Sequence, residues 1–376
     1  MGGAENSVLR MMHRLADHGW EVELVLSTGG GLLEPRVDSR VKVTRLRDKV
    51  VGQRFLSETR IGPKILWMLM DGLPFLYSRV QWLVRALKFR FKRFDVAVIS
   101  LHGLSPVFCC SFVQADKRLQ WIRNDLANCD PKGTVTRTIK RYKNQIDCFV
   151  CVSNTAMQSL IDLFPDLKKK SIVMYNIIDA KEMLARADKE GNPYAEYKNT
   201  LKVVTVCRLS DQSKGLIRML QVHRELRDRG INFHWFVVGD GSDRDQIAQA
   251  VSKMGMTDRF ILVGRKENPF PYYRYADISA TLSYYEGLCG TVNEAKVLGK
   301  PVIATRFSGI DEQITDGMNG LIVENDKDAI LVGLQRLLTD KKLREKLTND
   351  IYPTAITDDE SKLRLFNQIT EEKDTV

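Results

Sequence analysis

The sequence contains no run of about eighteen consecutive apolar residues, the length that a membrane-spanning helix requires. Its first residues also lack the charged-then-apolar pattern of a secretory signal peptide. The cysteines have irregular spacings, and Cys148 and Cys151 lie inside an apolar, strand-like run, which favours a buried structural role over a redox or metal site. These absences predict a cytoplasmic protein in a reducing compartment.

Signatures of sequence-specific nucleic-acid binding are missing too. We find no helix-turn-helix pattern, no zinc-finger spacing and no aromatic signature of an RNA-recognition domain. The formal net charge of +10 nevertheless implies an anionic partner. With no nucleic-acid partner expected, a nucleotide or an anionic membrane surface remains.

Cationic side chains are concentrated in residues 77–94, YSRVQWLVRALKFRFKRF, which we predict to be a helix. Two interpretations stay open: a core-packed helix with a solvated basic face, or a helix that lies on an anionic membrane surface. The number of cations exceeds what solubility needs, which supports the membrane interpretation. The cations are Arg79, Arg85, Lys88, Arg90, Lys92 and Arg93, and the apolar side chains among them are Trp82, Leu83, Leu87, Phe91 and Phe94.

Strand-like and helical patterns alternate along both halves of the chain, which favours βαβ units and a mainly parallel sheet. A polar, turn-rich stretch at 179–200 separates the halves and is predicted to be a linker. The 376 residues suffice for two domains, which we place at 1–178 and 179–357, with a helical tail at 358–376. Strands are predicted at 21–27, 41–46, 96–101, 119–122, 148–152 and 172–175, and at 201–207, 232–238, 260–263, 278–282, 302–305 and 321–323.

The stretch 283–305, SYYEGLCGTVNEAKVLGKPVIAT, places two glutamates around a turn of small residues. Glu286 precedes the turn, and Glu294 lies about one helical turn inside the helix predicted at 291–298. Backbone N–H groups at a helix N-terminus form a natural anion site. The stretch therefore predicts a phosphate site in the turn, with a carboxylate on either side of it.

Two cations follow the predicted strand that ends at 207. Arg208 and Lys214 flank the polar loop RLSDQSKG ahead of a helix, an arrangement that suits a diphosphate. The loop VVGDGSD contains Gly241, but Arg244 replaces the third glycine of a dinucleotide fingerprint. We therefore reject NAD binding and predict a tight turn beside a ligand, with Arg265 on a further strand-end loop at the same cleft edge.

These motifs occur in the order typical of a known family. RLSDQSKG, VVGDGSD, the Gly-Arg loop, YADI, SYYEGLCGTVNEAKVLGKPVIAT and GIDEQITDGMNGLIV resemble family 4 (group 1) glycosyltransferases. In the first half, GGAEN at 2–6 and VMYNIID at 173–179 resemble the glycine loop and the inter-domain Asn-x-x-Asp element of that family. The resemblance implies an α/β protein of the GT-B fold, in which two Rossmann-like domains face each other across a cleft. It also implies that the tail helix packs back on the first domain.

The resemblance also implies roles for individual residues. Arg208 and Lys214 would neutralise the donor's diphosphate and stabilise the leaving nucleotide, without a metal or another cofactor. Glu294 would accept hydrogen bonds from the ribose hydroxyls, and Glu286 would face the transferred sugar, so that Glu286, Arg208 and Lys214 form the catalytic set. The donor-binding set would comprise Gly287, Leu288, Cys289, Gly290, Thr291, Glu294, Gly241 and Arg265.

The first half departs from the family at Arg123, in the segment QWIRND. The family commonly has a histidine there, near the donor phosphate and the acceptor. An arginine can hold an anion but cannot act as a base, so we expect Arg123 on the acceptor or phosphate side. His102 is a nearby alternative, although a single histidine at a strand end is more often structural.

The start of the sequence is the second departure. The family opens with a buried strand that leads into the glycine loop, whereas this sequence begins at the loop itself. We therefore expect either that the native start lies upstream of Met1, which we favour, or that the first domain lacks its first strand. Gly2 and Gly3 would lie close to the acceptor or the donor phosphate. A missing central strand would leave neighbouring backbone groups unpaired and apolar surface exposed.

The sequence thus predicts a retaining glycosyltransferase on the inner face of the membrane. Its donor would be a nucleotide-sugar, preferentially a UDP-sugar, and its acceptor a glycan or lipid-linked glycan of cell-surface polysaccharide or glycoconjugate synthesis. The alternative is a non-catalytic sugar-nucleotide-binding subunit of a glycosyltransferase complex. The missing strand and the missing histidine favour the subunit, whereas the intact Glu286, Glu294, Arg208 and Lys214 favour the enzyme.

Overall fold

A computed structural model describes residues 3–48, 61–101, 105–130, 133–348 and 354–371. In these ranges the chain folds into two α/β halves, each built around parallel strands. Both Gly2 and His102 lie outside the described residues.

Helices and strands alternate throughout the first half. Their bounds are α1 Gly3–Asp17, β1 Glu23–Leu26, a 3₁₀ turn Glu34–Arg36, β2 Lys42–Arg45, α2 Ile61–Lys88, a 3₁₀ turn Phe89–Phe91, β3 Arg93–Ile99, α3 Ser105–Phe112, β4 Gln114–Ile122, α4 Leu126–Cys129, α5 Thr134–Tyr142, a 3₁₀ turn Lys143–Gln145, β5 Cys148–Cys151, α6 Asn154–Leu163, a 3₁₀ turn Pro165–Lys170 and β6 Ser171–Val173.

The strands of the first half fall into two groups. Strands β3, β4, β5 and β6 form a four-stranded parallel sheet in that order, and β1 pairs with β2 in a separate parallel pair. The two groups are neighbours, because Val25 and Phe94 share a hydrophobic cluster and Lys92 Nζ lies 3.1 Å from Glu23 Oε1. Within the described ranges β1 and β3 form no ladder with each other, and Val98 of β3 is 40% exposed. Strand β3 is therefore an edge of the four-stranded sheet within the described residues.

The second half contains a complete doubly wound sheet. Its elements are α7 Ala180–Ala187, β7 Leu201–Val206, α8 Asp211–Lys214, α9 Leu216–Asp228, β8 Phe233–Val238, α10 Arg244–Lys253, β9 Phe260–Gly264, α11 Phe270–Tyr275, β10 Ile278–Thr281, α12 Gly290–Val297, β11 Val302–Thr305, a 3₁₀ turn Ile310–Glu312, β12 Leu321–Val323, α13 Lys327–Thr339, α14 Lys341–Thr348, α15 Thr354–Thr357 and α16 Asp359–Glu371.

All six strands of this sheet are parallel, in the order β12, β11, β10, β7, β8, β9. Helices cover both faces, so its strands are continuous apolar runs such as FHWFVV in β8. Trp235 of β8 is completely buried, and its indole N–H donates to Thr205 Oγ1 at 3.0 Å. The buried polar atom therefore has a partner inside the core.

Two predicted segments differ from the structure. The stretch 179–200 is a polar linker only in part, because it contains α7 and buries Met183, Ala187 and Tyr194 in the core of the second half. Those few apolar residues lie among many polar ones, so the composition hid them. The helix predicted at 77–94 starts earlier and ends at Lys88, and Phe94 belongs to β3, where Phe94, Val96 and Val98 alternate with the period of a strand.

The C-terminal helix α16 packs against the first half. Phe366 contacts Trp20 and Trp121, with ring centroids 5.6 and 6.3 Å apart. Lys362 is buried, and its ammonium donates to the carbonyl of Asn176 at 2.9 Å and to Asp359 at 2.8 Å. The helix thus links the end of the chain to the segment where the halves join.

We predict that Phe366→Ala weakens this docking. Truncation of a fully buried phenylalanine leaves a cavity and costs about 3–5 kcal/mol. Calorimetry should therefore show a clearly lower Tm for the variant. The control is Arg364→Ala on the same helix, whose side chain is 68% exposed and whose loss should change stability by less than about 0.5 kcal/mol. Equal effects of the two substitutions would contradict the packing described.

Candidate functional site

The site forms at the carboxyl edge of the second sheet, between β7 and β10. The strand order runs outward from this pair in opposite directions, which makes it the switch point where ligands bind in doubly wound sheets. The loop after β7 carries Arg208 and Lys214, and the loop after β10 carries Glu286. Sheet order therefore brings together Lys214 and Glu286, which are 72 residues apart in sequence.

Lys214 and Glu286 form an ion pair at this edge. Ser283 Oγ donates to the same carboxylate at 2.8 Å, and Tyr284 N donates to Ser213 O at 2.9 Å, which ties the two loops together. Burial acts to lower the pKa of the Lys214 ammonium, but the Glu286 carboxylate outweighs it, and the pKa is raised. Lys214 is therefore charged at neutral pH, as a phosphate ligand must be.

Three further predicted residues lie on the neighbouring loops. Arg208 is exposed, and its guanidinium makes no hydrogen bond or ion pair within the part of the chain that the structure describes. A Cβ at Gly241 would come within 2.3 Å of the Leu209 carbonyl oxygen, so close packing of the loops after β7 and β8 explains that glycine. Arg265 is exposed after β9. Contacts of Gly241 and Arg265 with a donor remain predictions.

The predicted phosphate turn leads into α12, whose N-terminus has no side-chain cap. Among the described residues, the N–H groups of Gly290 and Thr291 have no partner, and a Cβ at Gly290 would meet no atom within 4 Å. Cys289 departs from the predicted cradle, because its N–H donates to Gln313 Oε1 and its carbonyl accepts from Gln313 Nε2, each at 2.9 Å. The Gln313 side-chain amide therefore pairs with both the N–H and the carbonyl of Cys289. The N–H groups of Gly290 and Thr291 remain available to an anion.

Glu294 receives contacts from both halves of the chain. Tyr273 OH donates to Oε2 at 3.3 Å, and Nη2 of Arg10 on α1 lies 3.4 Å from Oε1. Burial raises the pKa of the Glu294 carboxyl, and Arg10 and Tyr273 offset only part of that effect. A carboxylate sheltered in this way forms stronger hydrogen bonds with a ligand hydroxyl than one in water.

The backbones of the two halves meet at Gly287. A Cβ at this position would lie 2.7 Å from the Arg123 carbonyl oxygen and 3.3 Å from the Cα of Asn124. On its other side, a Cβ at Gly309 would lie 2.9 Å from the Gly287 carbonyl oxygen. Only a residue without a side chain fits between these segments, so Gly287 and Leu288, which is buried beside it, form part of the inter-domain contact.

Arg123 is buried beneath this contact. Its Nε donates to Ser100 O at 2.7 Å, and its Nη1 donates to Asn176 Oδ1 at 3.0 Å. Burial lowers the pKa of Arg123 to about 10, so the guanidinium stays charged at neutral pH. Arg123 therefore braces Asn176 of the Asn-x-x-Asp element, a role that the sequence did not predict. Gly3, predicted on the same side, starts α1 with open space around it.

Glu312 makes a second contact between the halves. Its carboxylate accepts hydrogen bonds of 2.8 to 3.0 Å from the backbone and side chains of Asn154 and Thr155, and one of 2.9 Å from Tyr175 OH. Burial acts to raise the pKa of Glu312, but these hydrogen bonds outweigh it and lower the pKa. Glu312 is thus an ionised clamp at the N-terminus of α6.

A cavity of about 590 Å³ opens beside Glu286, between the halves. Aromatic rings and charged groups line it, a composition that suits a polar ligand with apolar faces, such as a sugar ring. The Arg218 guanidinium lies 4.0 Å from the ring centroid of Tyr284 and fixes that wall. The lining residues are Asp125, Tyr284, Tyr285, Glu286, Arg306, Phe307 and Ser308.

The sequence analysis assigned a role to only one of these lining residues, Glu286. A signal for Tyr284 and Tyr285 was available, because they follow strand β10 and directly precede Glu286. No comparable signal marks Asp125 or Arg306, which reach the cavity through the approach of the two halves and the loop after β11.

Comparison with known sequences and structures tests the resemblance. The model of "Glycosyl transferases group 1" matches residues 186–352, and that of "Glycosyltransferase Family 4" matches residues 1–182. The crystal structure of Anabaena HepE in complex with UDP and glucose superimposes with a TM-score of 0.73 at 16% identity, over 99% of this chain and 96% of that one.

Two relatives extend the comparison. An uncharacterized glycosyltransferase of Methanocaldococcus jannaschii is 23% identical over 74% of this chain and 70% of its own length. The N-acetylgalactosamine-N,N'-diacetylbacillosaminyl-diphospho-undecaprenol 4-alpha-N-acetylgalactosaminyltransferase of Campylobacter jejuni is 24% identical, and the match spans 55% of each chain. Family models that together span both halves, and a fold shared along the whole chain, identify this protein as a member of the group 1, family 4 glycosyltransferases with the GT-B fold.

Proposed function

We propose that this glycosyltransferase transfers a sugar from a nucleotide-sugar, preferentially a UDP-sugar, to a glycan or lipid-linked glycan. The product would belong to cell-surface polysaccharide or glycoconjugate synthesis. The observation that carries the proposal is the uncapped N-terminus of α12, flanked by the Lys214–Glu286 ion pair and by Glu294 at the inter-domain cleft. An anion site between two carboxylates fits a diphosphate that joins a ribose to a sugar.

The comparisons support the choice of substrates. HepE has the same fold and binds UDP and glucose. The Campylobacter relative is named for an acceptor on undecaprenyl diphosphate. In this chain, the cavity with Tyr284, Tyr285 and Phe307 offers aromatic walls to a sugar beside Glu286.

The proposed reaction retains the anomeric configuration and needs no metal or other cofactor. The bond from the anomeric carbon to the β-phosphate oxygen breaks, and the acceptor oxygen bonds to that carbon from the same face. The acceptor's hydroxyl proton passes to the leaving phosphate. Lys214, Arg208 and the N-terminus of α12 stabilise the charge that develops on the diphosphate, Glu294 holds the ribose, and Glu286 holds the sugar.

We predict that nucleotide binding depends on Lys214. UDP or GDP should raise the Tm of the wild type by preferential binding to the folded state. Lys214→Met removes the phosphate's cation and leaves Glu286 unpaired, so the Kd should rise about 30-fold, the equivalent of ~2 kcal/mol. Lys253→Met on the exposed side of α10 is the matched control. No stabilisation of the wild type by any nucleotide would refute the donor site.

The raised pKa of Glu294 gives a pH prediction. Ribose hydroxyls donate to the ionised carboxylate, so protonation of Glu294 should weaken binding as the pH falls. Because burial raises the pKa of Glu294, the weakening should begin at a higher pH than for an ordinary glutamate, whose pKa is about 4.3. Calorimetric titration with UDP-glucose, whose diphosphate does not titrate in this range, measures the profile.

Glu294→Gln should bind UDP-glucose more weakly at neutral pH and lose this pH dependence. This substitution removes the titrating carboxyl group but keeps the size and shape of the side chain. A wild-type affinity that stays constant down to the ordinary glutamate range would contradict the assignment of Glu294 to the ribose.

The surface of α2 supports a membrane-borne acceptor at the inner face of the membrane. No helix in the described ranges is long and apolar enough to cross a bilayer. However, α2 and the following turn expose a row of large apolar side chains, of which Phe91 is 91% exposed. The row consists of Leu76, Tyr77, Val80, Leu83, Val84, Leu87 and Phe91.

The cations of this segment divide into two groups. Arg85 pairs with Asp48, Lys92 with Glu23 and Arg93 with Asp116, so these three are neutralised locally. The other three, Arg79, Lys88 and Arg90, are exposed beside the apolar row and have no ion pair in the described part of the chain. An apolar row flanked by cations without an acidic partner is the pattern of a helix that lies on an anionic membrane.

We predict that the protein floats with vesicles that contain phosphatidylglycerol but not with vesicles of phosphatidylcholine alone. Reversal of Arg79, Lys88 and Arg90 to glutamate should reduce binding at least about a hundredfold, because each cation contributes roughly 1 kcal/mol near an anionic surface.

Reversal of Lys341, Lys342 and Lys346 on α14 is the matched control. These lysines are exposed on the second half, and the change in net charge is the same. If both triple variants lost binding equally, net charge rather than α2 would determine membrane association. Binding that survived in both would refute the surface.

A further inference from the structure

Arg10 is a cation at the donor site that the proposed function leaves without a role. It lies on α1 in the first half, and its Nη2 is 3.4 Å from Glu294 Oε1 in the second half, with side-chain exposures of 20% and 16%. The two residues are 284 positions apart in sequence. The approach of the two halves alone brings this guanidinium to the carboxylate proposed to bind the ribose.

The contact between Arg10 and Glu294 is suited to exchange. It is a single contact, and it is longer than the roughly 2.7–2.9 Å typical of a charge-assisted hydrogen bond. Within the described residues the Arg10 side chain makes no other hydrogen bond. The carboxylate keeps a second partner in Tyr273, so it remains anchored if Arg10 moves away.

Neighbouring arginines are fixed by contrast. Arg36 donates to Asn6 Oδ1 at 3.2 Å, and Arg186 donates to Glu182 at 3.1 Å and to the Glu267 carbonyl at 2.9 Å. Arg10 and Arg186 lie near Arg36, because their charges contribute, after burial, to a lowered pKa of Arg36. Of these three guanidinium groups, Arg10 is the one held only by a single long contact among the described residues.

A bound donor would change the partners of Arg10. A ribose diol that donates to Glu294 replaces the guanidinium at that carboxylate, and Arg10 then needs another anion. The N-terminus of α12 lies about one helical turn, ~5 Å, from Glu294, which is within the reach of an arginine side chain. Side chains on a helix also tilt toward its N-terminus, so Arg10 projects in the direction of Gly3 and the predicted phosphate side.

We propose that Arg10 is a donor-binding residue that exchanges Glu294 for the diphosphate when the nucleotide enters. In the empty site Arg10 neutralises Glu294, and in the occupied site the ribose takes the carboxylate while Arg10 binds a phosphate oxygen. This inference rests on the proposed function, because it takes Glu294 as the ribose ligand and the α12 N-terminus as the phosphate site.

Comparison of a nucleotide with its nucleoside tests the exchange. The variant is Arg10→Gln, and the matched control is Arg14→Gln, one turn further along α1, where Arg14 pairs with Glu360 and Asp17 rather than with Glu294. Calorimetric Kd values are measured for UDP and uridine, and for GDP and guanosine. Loss of Arg10 should weaken UDP or GDP about tenfold, the loss expected for one charge-assisted hydrogen bond. It should leave the nucleoside unchanged or bound more tightly, because the competitor for Glu294 is gone.

Each other outcome overturns the exchange. Equal weakening of nucleotide and nucleoside would show that Arg10 only orients Glu294. Equal tightening would show that Arg10 only blocks it, and no change in either would show that Arg10 has no part in binding. Weakening by Arg14→Gln to the same degree would point to a general effect of charge on α1.

The two proposals fail in different ways. If wild-type protein binds neither UDP nor GDP, the proposed function itself is refuted. If the wild type binds a nucleotide and Lys214→Met weakens that binding about 30-fold, while Arg10→Gln does not separate nucleotide from nucleoside, the donor site stands and the role of Arg10 is refuted.

Discussion

The direct contact between the backbones of the two halves at Gly287 is the constraint on which the site depends. With less than 3 Å between a hypothetical Gly287 Cβ and the Arg123 carbonyl oxygen, any side chain would push the halves apart. The residues on either side of this glycine, Glu286 and the turn into α12, are those that face the cleft. Glu312 also holds the two halves together. At the N-terminus of α6 it accepts hydrogen bonds that lower its pKa and keep it ionised. The close contact at Gly287 and the hydrogen bonds of Glu312 together fix the separation of the halves beside the site.

The approach of the two halves also explains how two carboxylates can lie in this site without a ligand. Glu286 and Glu294 would repel a diphosphate if both stood unpaired, yet each has a cation of its own, Lys214 from the loop after β7 and Arg10 from the opposite half. The charges of the acids are thereby neutralised. The exposed Arg208 and the helix N-terminus remain to attract the anion. Glu286 and its cation both follow strands of one sheet, whereas the cation beside Glu294 comes from the other half. Separation of the halves would therefore remove the partner of Glu294 but not that of Glu286.

The sequence could predict what one half determines by itself. Continuous apolar runs such as 201–206 identify buried parallel strands, and their order places Lys214 beside Glu286 without knowledge of the other half. The sequence could not predict contacts that depend on the approach of the halves. Arg10 and Glu294 are 284 residues apart, and Glu312 is 158 residues from its partner Asn154 on α6, so no local pattern encodes either contact. The hydrogen bonds of Cys289 with Gln313 could not be predicted for a related reason, because Gln313 comes from the loop after β11.

The buried Arg123 has a consequence for proton transfer in the proposed reaction. A guanidinium whose pKa is lowered only to about 10 is already protonated at neutral pH and cannot act as a base, and its Nε and Nη1 donate to Ser100 and Asn176. The first half therefore offers no base at the position where the family commonly has a histidine. A reaction in which the leaving phosphate accepts the acceptor's proton needs no such base, since it needs only cations that stabilise the phosphate. In the proposed reaction Lys214, which the Glu286 carboxylate keeps charged, would meet that need. The arginine in place of the histidine is therefore compatible with the proposed reaction.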